Sequence, residues 1–506
     1  MMRLSLRPAT AIAAACALAI PAQAFASYAY YVGKNLTEDG SVMLGGSGEE
    51  VSGHWLEIQP REQHPEDAKI TVGVTDAAVI PGQRTQIPQV SETYRYISMD
   101  YSNWEGFPPP LTNGGLNEFS VAARDVWAPS RAELVEMTPT PQTGPSYSDI
   151  ARIVMQRAET ARDAVEIAGN LIDEHGYSTY GGNSHLFADP EEGWVFIEFA
   201  GGEGLWAAER LGPDEVRVSY PGYIGEIPKD CATNHEDAMC SANLVEFAEE
   251  QGWYDGGDRD TINVHEVFGS QDAPMRNDAI QFMEERLRQM APMNIREFIS
   301  AVRNPAIADD AAGYGQAAHL REGVPSHLAV LWVAPSSSVA APFIPWYIGV
   351  TEVPPEFREH RYLRREAAST YLTPDYALQE ATRFAFREWE RVLYLACTGE
   401  DDQMYPEVVG VLEAFEQESL SDQPWLEAAA QSLIDAGNAE AANNVLTFYS
   451  SSRAQDAMNL GTTLAGALEA RIKLRSGIPK PPDTTPIQLL DYNMIRCGEH
   501  PGEPPL

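Results

Sequence analysis

Short β-type runs, each closed after a few residues by a turn signal, fill the first hundred residues and set the terms for the fold. Tyr28–Lys34 is aromatic-rich, Asp39-Gly40 is a turn pair leading into Ser41–Leu44, and Trp55–Ile58, Ile70–Val74 and Tyr94–Met99 continue the series. Gly45-Gly46-Ser47-Gly48 reads as a loop between them. Helical spacing then takes over at Ile150–Arg157 and Ala161–His175. Thr160 with Asp163 reads as a capping box and Gly176 as a C-terminal cap. Strand signals return at Trp194–Phe199, Leu205–Glu209 and Val216–Tyr220. Their connections are too short for crossover helices, so these strands pair antiparallel. Gly201-Gly202-Glu203-Gly204 is a hairpin turn here rather than a nucleotide loop.

Asn243–Gln251 and Ala279–Met290 read as helices, and Leu328–Val333 and Trp346–Val353 as further strands. Strands, helices and strands in that order predict an α+β fold of stacked antiparallel sheets between helix layers, not a doubly wound parallel sheet. After Asp375 the texture turns helical, at Ala377–Ala396, Val408–Glu418, Trp425–Ala436 and Ala454–Leu474, before a Pro-rich tail from Pro479 to Leu506. The expected organisation is a leader at 1–26, a sandwich domain at 27–375 and a helical region with its tail at 376–506.

Charge excludes some partners. Among 506 residues, 74 are acidic and 35 basic, a formal charge of −39 that repels nucleic acid and anionic lipid. The expected partner is a small peptide or amide, with no nucleic acid and no membrane, and homo-oligomer formation is left open. Arg3 and Arg7 precede the apolar run Ala11–Ile20, which is too short to span a bilayer, and Pro21 ends it. This pattern predicts a secretory signal and a protein that is secreted or periplasmic once the signal is removed. Cys231, Cys240, Cys397 and Cys497 then form an even set in an oxidising compartment. Pairing Cys231 with Cys240 and Cys397 with Cys497 is one of three connectivities.

Familiar catalytic motifs are absent: no Gly-x-Ser-x-Gly, Ser-x-x-Lys, His-Glu-x-x-His, paired Cys-x-x-Cys or phosphate loop occurs. Neither a metal nor an organic cofactor is implied. His54, His64, His319 and His327 read as loop or core residues rather than ligands.

The leader offers one chemical lead. Two Ala-x-Ala sites overlap, Ala22-Gln23-Ala24 and Ala24-Phe25-Ala26, and cleavage after the second leaves Ser27 first. A serine hydroxyl is a poor nucleophile without an adjacent base. At a chain end the α-amine, with an ordinary pKa of about 7.7–8.0, is such a base. One residue would then supply nucleophile and base, provided it heads a buried strand, and Tyr28–Val32 is that strand. The plainer alternative is that small residues often follow signal cleavage sites with no catalytic role.

The residues after Ser27 carry a family likeness. Ser27-Tyr28-Ala29-Tyr30-Tyr31-Val32-Gly33-Lys34, followed by Thr37-Glu38-Asp39-Gly40-Ser41, resembles the opening of the bacterial dipeptidase A and secernin family. There a nucleophile, usually Cys, precedes a hydrophobic run, Val-Gly-Lys and Asp-Gly-Ser. Thr93-Tyr94-Arg95-Tyr96 is similar to its Tyr-Arg-Tyr strand, and Gly115-Leu116-Asn117-Glu118-Phe119 to its Gly-hydrophobic-Asn-Glu motif. Glu198 to Arg210, Asn243 to Ala248 with Gly252 to Asp255, and Tyr347 to Pro354 follow in family order.

The resemblance implies the four-layer αββα sandwich of N-terminal nucleophile hydrolases and hydrolysis of dipeptides or related amides through an acyl-enzyme. Carried over residue by residue, Ser27 becomes nucleophile and base, and Asn117 a donor of the oxyanion hole; such donors are worth about 2.7–4 kcal/mol. The alternative for Asn117 is a turn asparagine after Gly114-Gly115. Three departures stand out. Serine replaces cysteine; Gly46-Ser47-Gly48-Glu49 replaces an Arg-Asn-x-Asp-like stretch; and Ser219-Tyr220-Pro221 replaces an expected Asn. Glu49 then stands in for the acid and Arg95 for the lost arginine, unless Arg95 is an ordinary strand-surface residue. Two rival readings stay open: an N-acyl amidase or acyltransferase of the same fold, and a non-catalytic secreted binding protein.

Overall fold

The structure is a computed structural model that describes residues 27–48, 53–101, 106–257, 259–308, 312–360, 383–397, 404–477 and 497. The leader at 1–26, Glu49, the expected boundary at 375 and the Pro-rich tail other than Cys497 lie outside the described residues.

Two large sheets organise the molecule. Their strands are β1 (Tyr28–Val32), β2 (Val42–Ser47), β3 (His54–Gln59), β4 (Tyr96–Tyr101), β5 (Leu111–Asn117), β6 (Ala122–Val126) and β7 (Asn183–Ala188). They continue as β8 (Gly193–Glu198), β9 (Trp206–Leu211), β10 (Val216–Ser219), β11 (Ala238–Cys240), β12 (Gly315–Leu320), β13 (Val330–Ala334) and β14 (Ile344–Tyr347). The six-stranded sheet runs β10-β1-β2-β12-β13-β14 and the eight-stranded sheet β11-β9-β8-β7-β6-β5-β4-β3. Neighbours in both sheets are antiparallel, as the short connections require.

Helices α1 (Tyr147–Arg157) and α2 (Ala161–His175) cover the outer face of the eight-stranded sheet. Helices α3 (Asp278–Met290) and α4 (Ile295–Val302) cover the outer face of the six-stranded sheet, and β1 and β2 pack against β6 and β7 between them. The order is therefore α-β-β-α. A sheet covered on both faces favours unbroken apolar strands, which is why β1 reads Tyr-Ala-Tyr-Tyr-Val and is wholly buried. Tyr28 points outward and donates to the Val302 carbonyl of α4 at 2.6 Å. Tyr31 points inward, against Gly193 of β8, where a Cβ would come within 2.5 Å of the ring.

Helix starts follow their chemistry. Thr160 accepts from the Asp163 backbone at 3.0 Å, while the Asp163 carboxylate reaches the Glu159 backbone rather than that of Thr160, so the expected box is only half closed. Gly176 ends α2 at φ 81°. The expected loop at Gly45-Gly46-Ser47 is instead the end of β2. Its glycines serve close approach: a Cβ on Gly45 would meet the Phe298 ring at 2.7 Å, and one on Gly46 would lie 2.0 Å from the Tyr28 carbonyl.

Three C-terminal helices, α5 (Ala385–Cys397), α6 (Tyr405–Asp435) and α7 (Ala439–Ser476), pack on one another, and α6 and α7 lie against edge strand β14. Helix α6 continues through Pro424, so the two helices expected there are one. A buried ion pair, Arg303 with Glu416, ties α6 to the end of α4, and Glu416 also accepts from the Phe343 backbone. Cys231 is bonded to Cys240 and Cys397 to Cys497.

Candidate active site

Ser27 directly precedes β1 and is half-buried. Strand alternation puts it on the face shared by Ala29 and Tyr31, toward the eight-stranded sheet. Ser47 of β2 opposes Tyr28 and Ser219 of β10 opposes Ala29, so Ser27 lies between the ends of these two strands. The Ser219 hydroxyl shares that face. It is buried and has no hydrogen-bond partner among the described residues. Gly222, just beyond it, packs on Ser184 of β7 so closely that a Cβ would fall 1.8 Å from the Ser184 Oγ.

Arg124 of β6 enters the same gap from the second sheet. Its side chain is fully buried and donates to the Ser47 carbonyl and the Tyr314 hydroxyl, with the guanidinium carbon 5.1 Å from the Tyr314 ring centre. Next to it, Gln316 of β12 crosses the gap to donate to the Ala123 carbonyl at 3.1 Å.

More buried charge lies behind the eight-stranded sheet at this end. His185 of β7 and Glu198 of β8 approach to 3.1 Å with both side chains at 0% exposure. Burial alone pushes the His185 imidazole down; the charge and hydrogen bond of Glu198, with Asp125, outweigh it and hold the group above its ordinary value. Asp125 also meets Asn183 at 3.5 Å, and the Tyr180 hydroxyl donates to Asn183 at 3.1 Å. Asp100 of β4, buried and accepting from Ser98, is pushed up to about 7, mainly by desolvation.

Asn117 and Arg95 are not brought to Ser27. Asn117 ends β5 at the opposite end of the sandwich, beside the Ala188-Gly193 turn that faces Tyr31. Its amide donates to the Met155 and Ala158 carbonyls at the end of α1, and its carbonyl accepts from Phe119 and Val121. Every polar valence is spent on the turn and the helix end, which is the turn-asparagine alternative. Arg95, also at that end, is bound to the Ile348 and Val350 carbonyls after β14. Glu49 lies outside the described residues.

Sequence reasoning missed Arg124, Asp125 and His185. The available signal was a charged pair inside the otherwise apolar Val121-Ala122-Ala123-Arg124-Asp125-Val126-Trp127 run. A cleft of about 290 Å³ lined by Arg84, Asp149 and Arg152, beside the first turns of α1, does not include Ser27. Among the described residues no group of three or more His, Cys, Asp or Glu is placed to hold a metal ion, and no helix is long and apolar enough to cross a membrane.

Four layers in α-β-β-α order, with Ser27 directly ahead of an inner strand, form the sandwich that the likeness to N-terminal nucleophile hydrolases implies. A family model described as peptidase family C69 matches residues 28–290, and the chain belongs to that family. It is 29% identical over 265 residues to a dipeptidase of Bifidobacterium longum, covering 47% of this chain and 46% of that protein. It is also 29% identical over 252 residues to a probable dipeptidase B of Lactococcus lactis, covering 47% and 48%. The chain thus spans about half the length of the curated relatives it matches. A solved variant of conjugated bile acid hydrolase from Clostridium perfringens superposes with a TM-score of 0.30 at 12% identity, over 61% of this chain and 88% of that one.

Proposed function

We propose that this chain is a secreted or periplasmic dipeptidase-type amidohydrolase whose nucleophile is Ser27, exposed as residue one when the leader is cut after Ala26. The observation that carries this reading is the placement of Ser27: it heads an inner strand of the family sandwich and faces the gap between the sheets, beside Ser219. In the proposed reaction the Ser27 Oγ attacks the substrate amide carbon while its proton passes to the α-amine. The carbonyl oxygen becomes an oxyanion, and the buried Ser219 hydroxyl, which has no other partner among the described residues, is offered as a donor to it. The C–N bond breaks and the leaving amine takes the proton from the α-amine. Water then attacks the Ser27 ester, again giving a proton to the α-amine. The acid departs as the Ser27 oxygen recovers its proton.

One observation favours a different substrate in the same site. Gly46 has no side chain where the family likeness expects an arginine, so a charged substrate group that such an arginine would bind has lost its partner. An N-acyl amidase or acyltransferase follows from that reading.

The test begins with the processed protein. Among serines and threonines, periodate cleaves only one that carries a free α-amine, so it converts the first residue of the mature chain to an aldehyde if that residue is Ser27. Ser27→Ala is expected to fold as the parent does and to lose more than a thousandfold in kcat/KM on dipeptides. Full dipeptide turnover by Ser27→Ala overturns the nucleophile. Turnover of N-acyl amino acids in preference to dipeptides moves the assignment to the second reading.

A further inference from the structure

Arg124 has a place in this site that neither the family likeness nor the sequence reading assigns. The likeness puts an arginine on β2 at position 46; here that residue is glycine, and the space beside it is crossed by an arginine from the opposite sheet. We propose that Arg124 is the positioning residue that keeps the Ser27 α-amine in its neutral, proton-accepting form. The inference rests on the reading of Ser27 given above.

The geometry is specific. Arg124 holds the carbonyl of Ser47, the residue that opposes Tyr28, so its charge lies one strand position from Ser27. It is fully buried, its Nε has no hydrogen-bond partner among the described residues, and two of its acceptors, the Ser47 carbonyl and the Tyr314 hydroxyl, are uncharged. A buried cation disfavours a second positive charge beside it, so the ammonium form of the terminal amine is destabilised and the free amine favoured. The hydrogen bond to Ser47 also fixes the end of β2 against which Ser27 is seated.

Other charged and titratable groups lie around this end, among them buried Asp100 of β4 and buried His54 of β3, whose ring lies 4.8 Å from that of Tyr314. Asp125 approaches Arg124 only to 3.5 Å and turns its other oxygen to Asn183 on the far face of the sheet. His185 and Glu198 neutralise each other behind that sheet. Beside β10, Arg276 is held by Glu284. The Tyr30 phenol is kept protonated, chiefly by burial, while Tyr314 gives its oxygen to Arg124, and Tyr220 follows β10.

The experiment measures the amine directly. Processed wild-type, Arg124→Met and Arg124→Lys proteins are exposed to a water-soluble acylating reagent across pH 5 to 10, and labelling of the terminal peptide is read by mass spectrometry. In the wild type the amine should reach half-maximal reactivity about one pH unit or more below its ordinary 7.7–8.0. Arg124→Met should return it to the ordinary range, with about tenfold less labelling at pH 6. The acid limb of kcat/KM should move with it, and Arg124→Lys should keep the wild-type profile. An amine that titrates normally in the wild type, or one that Arg124→Met leaves unmoved, overturns the proposal. The wild-type measurement decides even where Arg124→Met fails to fold. Absence of a periodate-sensitive serine instead defeats the reading of Ser27, and this inference with it.

Discussion

The two ends of the sandwich strands treat charge in opposite ways. At the Ser27 end, Asp100, Arg124, Asp125, His185 and Glu198 are all buried; His185 meets Glu198 across strands, and Arg124 lies 3.5 Å from its neighbour Asp125 within β6. At the other end, where Asn117 and Arg95 lie, Arg61 pairs with Glu92 and Glu118 at 40% side-chain exposure, and Asp39, bound to His319, is nearly half exposed. Burying a charge costs several kcal/mol unless its partners are well placed, whereas exposed pairs contribute little in either direction. The grouping of Asp100, Arg124, Asp125, His185 and Glu198 makes the Ser27 end the candidate for chemistry.

The pair behind the second sheet gives the largest expected effect. Replacing Glu198 with Ala leaves the His185 imidazole buried without its main partner, and such breaks cost about 3–5 kcal/mol. The His185 proton is bound more tightly in the folded chain than in the unfolded one. Its contribution to stability is therefore complete below the ordinary imidazole pKa and is lost as pH rises through the higher native value. Denaturant midpoints of wild type and His185→Gln should differ in slope in that window. Parallel curves would mean that the pair carries no net charge coupling.

Asp100 sharpens the same contrast. Its native carboxyl titrates at about 7 against an ordinary value near 4, so the folded state holds the proton across the interval between them. Stability from this group is full below the unfolded value and falls by about 4 kcal/mol at most as pH rises through 7. Asp100→Asn should flatten that fall, as read from urea midpoints at pH 5 and pH 8. An unchanged difference between the two pH values would remove Asp100 from the set of strained charges at this end.

This contrast also explains what the sequence revealed and what it hid. Helices α1, α2 and α3 were legible because each buries one apolar stripe at helical spacing, with caps at Thr160 and Gly176. Strands β5, β6, β7 and β12 were not. They read Leu-Thr-Asn-Gly-Gly-Leu-Asn, Ala-Ala-Arg-Asp-Val, Asn-Ser-His-Leu-Phe-Ala and Gly-Gln-Ala-Ala-His-Leu. Polar residues that face the gap or the helix layer break the apolar run and the period-two pattern together. In β6 and β7 the residues that build the candidate site are those that hide the strand. Ser27 stands out in the sequence because an Ala-x-Ala pattern and a strand signal meet there, whereas the residues around it arrive from distant strands whose register no local pattern reports. Asn117 was misplaced for a related reason: its motif lies in a strand that passes the site region at one end and carries the asparagine at the other.

Asn117 itself supplies the test with the smallest expected effect on catalysis. Asn117→Ala removes two donated and two accepted hydrogen bonds and leaves the Met155 and Ala158 carbonyls without that donor, a cost of about 3 kcal/mol in stability. It touches nothing at the Ser27 end, so kcat/KM per folded molecule should stay within about twofold of wild type. Arg95→Lys, at the same end, should change even less, because a lysine still reaches one of the two carbonyls that Arg95 binds. Melting temperature and active-site-titrated turnover, measured on the same preparations, separate the two effects. A hundredfold loss of kcat/KM in a folded Asn117→Ala protein would return Asn117 to the oxyanion hole. It would mean that the two ends share the chemistry after all, through a rearrangement on substrate binding that draws the asparagine away from α1.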